Sequence, residues 1–124
     1  LYIEASEAMV ARDALRDRGD NYESREREYV KVLETISIKY PDDMEAKAML
    51  ALAGFGRARY ATELIIREIL ARQPDHPGAH HYRIHNWNYH EPEQALASCR
   101  RYGEIAPGSG HALHMPGHVY ATAG

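Results

Sequence analysis

Apolar residues recur along this chain at three- and four-residue steps, and no stretch alternates strictly between apolar and polar. Tyr22, Tyr29, Leu33, Ile36 and Tyr40 step by seven, four, three and four residues, which places them on one face of an amphipathic helix. The Arg25-Glu26-Arg27-Glu28 run reads as its solvated side. Upstream, Ile3, Ala5, Ala8, Met9, Ala11, Ala14 and Leu15 lie among Glu, Arg and Asp over residues 3–18, without glycine or proline, and predict another helix. Gly19 stops it, and Asp20 with Glu23 fits a capping box for the next. Downstream, Pro41 ends the helix that carries Tyr40, and Asp42 or Asp43 can cap the following one.

The pattern then continues to the end of the chain. Met44 to Phe55 is short, rich in Ala, Leu and Met, and helical by propensity, with Gly54 and Gly56 as punctuation. Tyr60, Leu64, Ile65, Ile66, Ile69 and Leu70 predict a wide apolar helix face reaching Gln73. Ala79 to Tyr89 predicts the next helix, followed by a turn at His90-Glu91-Pro92 and a helix from Glu93 to Ile105, with Pro92 at a first helical position. Pro107-Gly108-Ser109-Gly110 closes that stretch. Proline costs about 3 kcal/mol in a helix interior, so Pro116 predicts a turn over residues 111–114 and a regular helix starting near Met115. Nothing reads as a strand, and the fold class expected is all-α.

Pro41, Pro74 and Pro107 are 33 residues apart (74 − 41 and 107 − 74). Helix pairs recurring at that period cannot bury their apolar faces singly and must stack. The matching features are a proline closing each unit, the Gly117/Tyr120 pair of a small residue and an aromatic three positions on, and Ala95 and Cys99 in the second helix. Ile84/Trp87 keeps only the aromatic of that pair and Ala51/Gly54 only the small residue. On these residues the chain resembles the tetratricopeptide repeat family over roughly residues 22–124. The resemblance implies a right-handed α-solenoid of about three and a half repeats, a single domain over residues 1–124, that binds a protein or peptide partner. The first helix of each pair would line its concave surface. The chain from Pro74 onward also resembles a subset of bacterial repeat proteins carrying His76-Pro77-Gly78-Ala79, His81-Tyr82, Ile84-His85, and His111 through His114-Met115-Pro116 to His118. Ala48 and Leu52 occupy places where some relatives carry the basic and amide residues that clamp peptide C-termini.

All eight histidines fall between His76 and His118. His81 and His85 lie seven and eleven residues after Pro74, as His114 and His118 do after Pro107. Side chains four apart on a helix have Cβ atoms about 5–6 Å from one another, so each pair can act together. By the resemblance these positions point into the groove. His81, His85, His114 and His118, with Tyr82 and Tyr120, are therefore the candidate ligand-binding residues. Two readings stay open. A metal-free imidazole groove would hydrogen-bond a polar ligand, peptide or protein. Alternatively, the four histidines, with His111 in reserve, would hold zinc or another divalent transition metal able to support hydrolytic or oxidative chemistry. Histidines with a purely structural role are the third possibility. Glu91 and Glu93 are the carboxylates that could approach. No catalytic residue is assigned, and enzymatic activity is left open. His76 reads as a turn residue, His80 as packed toward the core, His90 as an exposed turn, and Cys99 and Trp87 as buried.

Composition narrows the partners. With 15 basic and 18 acidic residues in 124, the chain lacks the concentrated positive charge that phosphate-driven nucleic-acid binding needs. No run approaches a membrane-spanning length. One cysteine excludes an internal disulfide and leaves both cytoplasm and periplasm open. The chain begins at Leu1 and ends at Gly124 while a helical pattern is still running. It therefore reads as a piece of a longer protein, whose uncapped repeat ends would favour self-association.

Overall fold

The computed structural model describes residues 22–108 and 110–123, without the side chains of Tyr22, His111, Ala112 and Leu113. The helix expected over residues 3–18 and its boundary at Gly19 and Asp20 lie outside the described residues. What is described is helical, with no strand: α1 (Tyr22–Lys39), α2 (Met44–Gly54), α3 (Arg59–Arg72), α4 (Pro77–Trp87), a 3₁₀ turn (Pro92–Ala95), α5 (Leu96–Ile105) and α6 (Gly110–Ala123). No described helix is long and apolar enough to cross a membrane. The chain divides into two compact units, residues 1–53 and 54–124.

In the first unit, Leu33 and Ile36 of α1 and Ala46 of α2 form the buried core, with Tyr29, Val32, Tyr40, Met49 and Leu50 packed around them. Four residues of the apolar stripe read in the sequence, Tyr29, Leu33, Ile36 and Tyr40, are thus packed here. Of the two aspartates after Pro41, Asp43 is the cap. Its Oδ1 accepts a 3.0 Å bond from the Ala46 N–H, satisfying a donor that the first turn of α2 cannot use internally.

The second unit carries α3 to α6. Its core is Ile84 and Trp87 of α4, Ala95, Cys99 and Tyr102 around α5, and Met115 and Val119 of α6. α4 is its centre, packing against α3, α5 and α6, and α5 packs in turn on α6. Ile66 and Ile69 of α3 are fully buried, whereas Tyr60 and Leu64, expected on the same apolar face, are 67% and 66% exposed. Their places on the buried side are taken by Thr62 and the charged Glu63. The carboxylate is tolerated because it is fully bonded. Arg83 donates from Nε to Oε2 at 3.1 Å and from Nη2 to Oε1 at 2.5 Å, Trp87 Nε1 donates to Oε2 at 2.8 Å, and Arg67 Nε to Oε1 at 2.9 Å. A buried charge is stable only when paired and hydrogen-bonded, and this one ties α3 to α4.

The end of the chain corrects one expectation. α6 begins at Gly110 and runs through Pro116, so residues 111–114 are helical and not a turn. Proline still removes one helical hydrogen bond there. Met115 and Val119, on either side of Pro116, are buried in the core of this unit. Burying two such side chains contributes roughly 3–6 kcal/mol, enough to offset the proline and hold the segment helical. The segment from Glu93 to Ile105 also starts differently: its first turn is 3₁₀, and the α-helix proper begins at Leu96.

Candidate functional site

α4 presents the first histidine pair, and its placement begins at the helix start. His76 is the N-cap, with Nδ1 accepting from the Ala79 N–H at 3.1 Å, and Pro77 fills the first helical position. The imidazole lies close over Gly78, where an added Cβ would come within 3.1 Å of His76 Cε1. His80 then fixes the rotation of the helix. It is buried, its Nε2 bonded to the Pro74 carbonyl at 2.7 Å and its Nδ1 to Ser98 Oγ at 3.0 Å. A carbonyl can only accept, so Nε2 carries the proton and Nδ1 accepts from the serine hydroxyl. Burial first, and then the nearby Arg83 and Arg101 charges, outweigh the bond to Pro74 and hold His80 below its ordinary value. A neutral ring results. With His80, Ile84 and Trp87 turned to the core, His81 and His85 come out on the adjacent face, half-buried.

There the two rings meet. His81 Nε2 and His85 Nε2 are 3.0 Å apart, with ring centroids at 4.8 Å. Aromatic neighbours hold them. His81 stacks on Tyr102 at 5.4 Å and 14° and on Tyr82 at 5.7 Å, while His85 stacks on Phe55 at 5.5 Å. Phe55 reaches this position because Asn86 pins the loop that carries it. Asn86 Oδ1 accepts from the Gly56 N–H at 3.2 Å, and its Nδ2 donates to the Arg59 carbonyl at 3.0 Å. Gly56 makes the turn at φ 77°, a left-handed conformation that suits glycine.

The second pair lies on α6. Because that helix already includes His114, His114 and His118 share a face, with Nε2 atoms 2.8 Å apart and ring centroids at 4.5 Å. Both rings are exposed. Tyr120, two residues on, is 45% exposed. The side chain of His111, the reserve ligand, lies outside the described residues.

The structure thus brings His81 to His85 and His114 to His118, on two helices that pack against each other. Among the described residues no three His, Cys, Asp or Glu side chains form a group able to hold a metal ion. Glu91 is directed elsewhere, its carboxylate accepting from the Tyr60 hydroxyl at 3.1 and 3.2 Å. His80 is packed and His90 exposed, as the sequence reads them, and His76 is refined from a turn residue to a helix cap. Cys99 is buried, and the loss of solvation pushes its thiol up to about 11. It is therefore protonated and no nucleophile at neutral pH. Trp87 is buried between helices. Sequence reasoning did not find Phe55 and Tyr102 as supports of the first pair. Nothing in their spacing marks them, since they come from outside the helix that bears the histidines.

In an apo pair, one imidazole N–H can donate to the lone pair of the other. The same two nitrogens, both unprotonated, can instead be directed at a shared cation or at a ligand's polar hydrogens. Comparison of the chain with protein-family models, with curated proteins and with solved structures gave no match.

Proposed function

We propose that the chain is a binding module of the tetratricopeptide-repeat kind, its helix pairs stacked as a right-handed solenoid, whose imidazole-bearing face receives a polar ligand, peptide or protein. The proline register at 33 residues supports the stacking, as does the packing of α4 against α3, α5 and α6. The observation that carries the functional reading is the repetition of one facing imidazole pair on two packed helices, at the same offset from a proline. Imidazoles offer both donors and acceptors and carry no obligatory charge. Such a face suits a ligand rich in hydrogen-bonding groups.

The test is a titration of the isotopically labelled chain with a panel of peptides bearing carboxylate, phosphate and amide groups, followed by backbone and imidazole chemical shifts. The reading expects saturable shifts centred on His81, Tyr82, His85, His114, His118 and Tyr120, lost in the His81→Ala variant. Binding that shifts only residues of the first unit, or no saturable binding to any member of the panel, would overturn it.

A second reading is a divalent-metal site on the same face, with the metal activating a bound water for hydrolytic or oxidative chemistry. It is favoured by one specific observation, the approach of paired Nε2 atoms to 3.0 and 2.8 Å.

A further inference from the structure

We infer that the histidines form two separate bidentate chelates, His81 with His85 and His114 with His118, each selecting a divalent ion of tetragonal preference, Cu(II) or Ni(II), over tetrahedral Zn(II). This rests on the metal reading of the same face and deepens it by assigning stoichiometry and ion class.

The argument is first one of edges. Two nitrogens at ~2.0–2.1 Å from one ion are about 2.9 Å apart when they subtend a right angle and about 3.3 Å apart at the tetrahedral angle. The observed separations, 3.0 and 2.8 Å, which a hydrogen bond between the two rings also gives, lie nearer the right-angle edge than the tetrahedral one. Square-planar and tetragonal nitrogen sites are those of Cu(II) and Ni(II), and Cu(II) also stands highest in intrinsic affinity for nitrogen ligands. Grouping gives the stoichiometry. The four imidazoles are all described, and no three histidine or acidic side chains among the described residues come together as a metal-binding group. Each pair therefore supplies its two nitrogens to its own ion, and water or a partner's donor completes the coordination.

The two chelates are not equivalent. His81 and His85 are half-buried and stacked on Tyr102, Tyr82 and Phe55, so little rotamer freedom remains to be lost on binding. His114 and His118 are exposed and must order their rings as the ion arrives. The α4 chelate is the tighter of the two.

The experiment uses the full chain without an affinity tag. It is titrated with Cu(II), Ni(II) and Zn(II) by calorimetry, and the copper-loaded samples are examined by electron paramagnetic resonance. The expected result is two equivalents of Cu(II), an axial spectrum with nitrogen hyperfine structure at both sites, and Zn(II) bound at least tenfold more weakly. His114→Gln/His118→Gln, on an exposed face, should keep the fold by circular dichroism and retain only the tighter equivalent. His81→Gln/His85→Gln should retain only the weaker. Loss of both equivalents in the exposed-pair variant, with the fold intact, would show a single four-nitrogen site. That outcome would overturn the two-chelate assignment while leaving the metal reading standing. Zn(II) binding as tightly as Cu(II) would overturn the tetragonal preference. No saturable binding of any of the three ions would sink both this inference and the metal reading, and leave the metal-free groove.

Discussion

Arg83 lays its guanidinium along the carboxylate of Glu63, Nε to Oε2 at 3.1 Å and Nη2 to Oε1 at 2.5 Å, with side chains 16% and 5% exposed. A two-point contact between a fork of donors and a carboxylate is among the strongest side-chain interactions available. Here it joins α3 to the helix that carries His81 and His85.

Glu63→Gln should therefore be costly. It leaves the largely enclosed Arg83 charge without its partner, which costs about 3–5 kcal/mol for a buried pair. Denaturant unfolding of the variant should show that loss, whereas Glu23→Gln, which among the described residues breaks an exposed contact to Arg27, should change stability by less than about 1 kcal/mol. A Glu63→Gln midpoint equal to wild type would remove the pair from the account of the fold.

The same carboxylate sets an acid limit. Burial alone would raise Glu63, but bonds from Arg83, Trp87 and Arg67 outweigh burial and hold it below its ordinary 4.5. A carboxyl depressed by folding contributes stability that is complete above its unfolded value and is lost as pH falls through the folded value. Melting temperature in wild type should thus fall steeply below about pH 4.5. In Glu63→Gln that part of the fall should be absent, and equal slopes in the two proteins would contradict it.

Pro116→Ala should stabilise the chain. Alanine restores the hydrogen bond that proline denies the helix interior, a cost of about 3 kcal/mol in all, against about 1 kcal/mol of added freedom in the unfolded chain and about 1–2 kcal/mol of burial lost with the ring of the buried Pro116. A net gain of under about 1 kcal/mol is expected in urea unfolding. A loss instead would mean that the helix is shaped by the proline and packs poorly without it.

Cys99 should resist alkylation. With the thiol buried and pushed up to about 11, iodoacetamide at pH 8 should react at the rate of local or global opening, and fast only in denaturant. Rapid native-state labelling, followed by mass spectrometry, would place the thiol at the surface.

Asp43→Ala removes the acceptor for the Ala46 N–H. The expected cost is about 1 kcal/mol, read as a lower midpoint, and Asp43→Asn should recover most of it. Asp42→Ala is the control and should do less.

The sequence by itself determined the described helices, most of their ends and the two histidine pairs, because these depend on local chemistry. Apolar spacing, proline and glycine act within one or two turns, and residues four apart on a helix must be neighbours once the helix exists. The tertiary structure decided what needs distant partners. Glu63 is buried because Arg83 and Trp87, more than fifteen residues away, reach it. Phe55 and Tyr102 hold the first pair because Asn86 pins a loop and α5 packs on α4. Residues 111–114 are helical despite Pro116 because burial of Met115 and Val119 outweighs a missing hydrogen bond. Such balances are struck between segments remote along the chain, and no local pattern records their outcome.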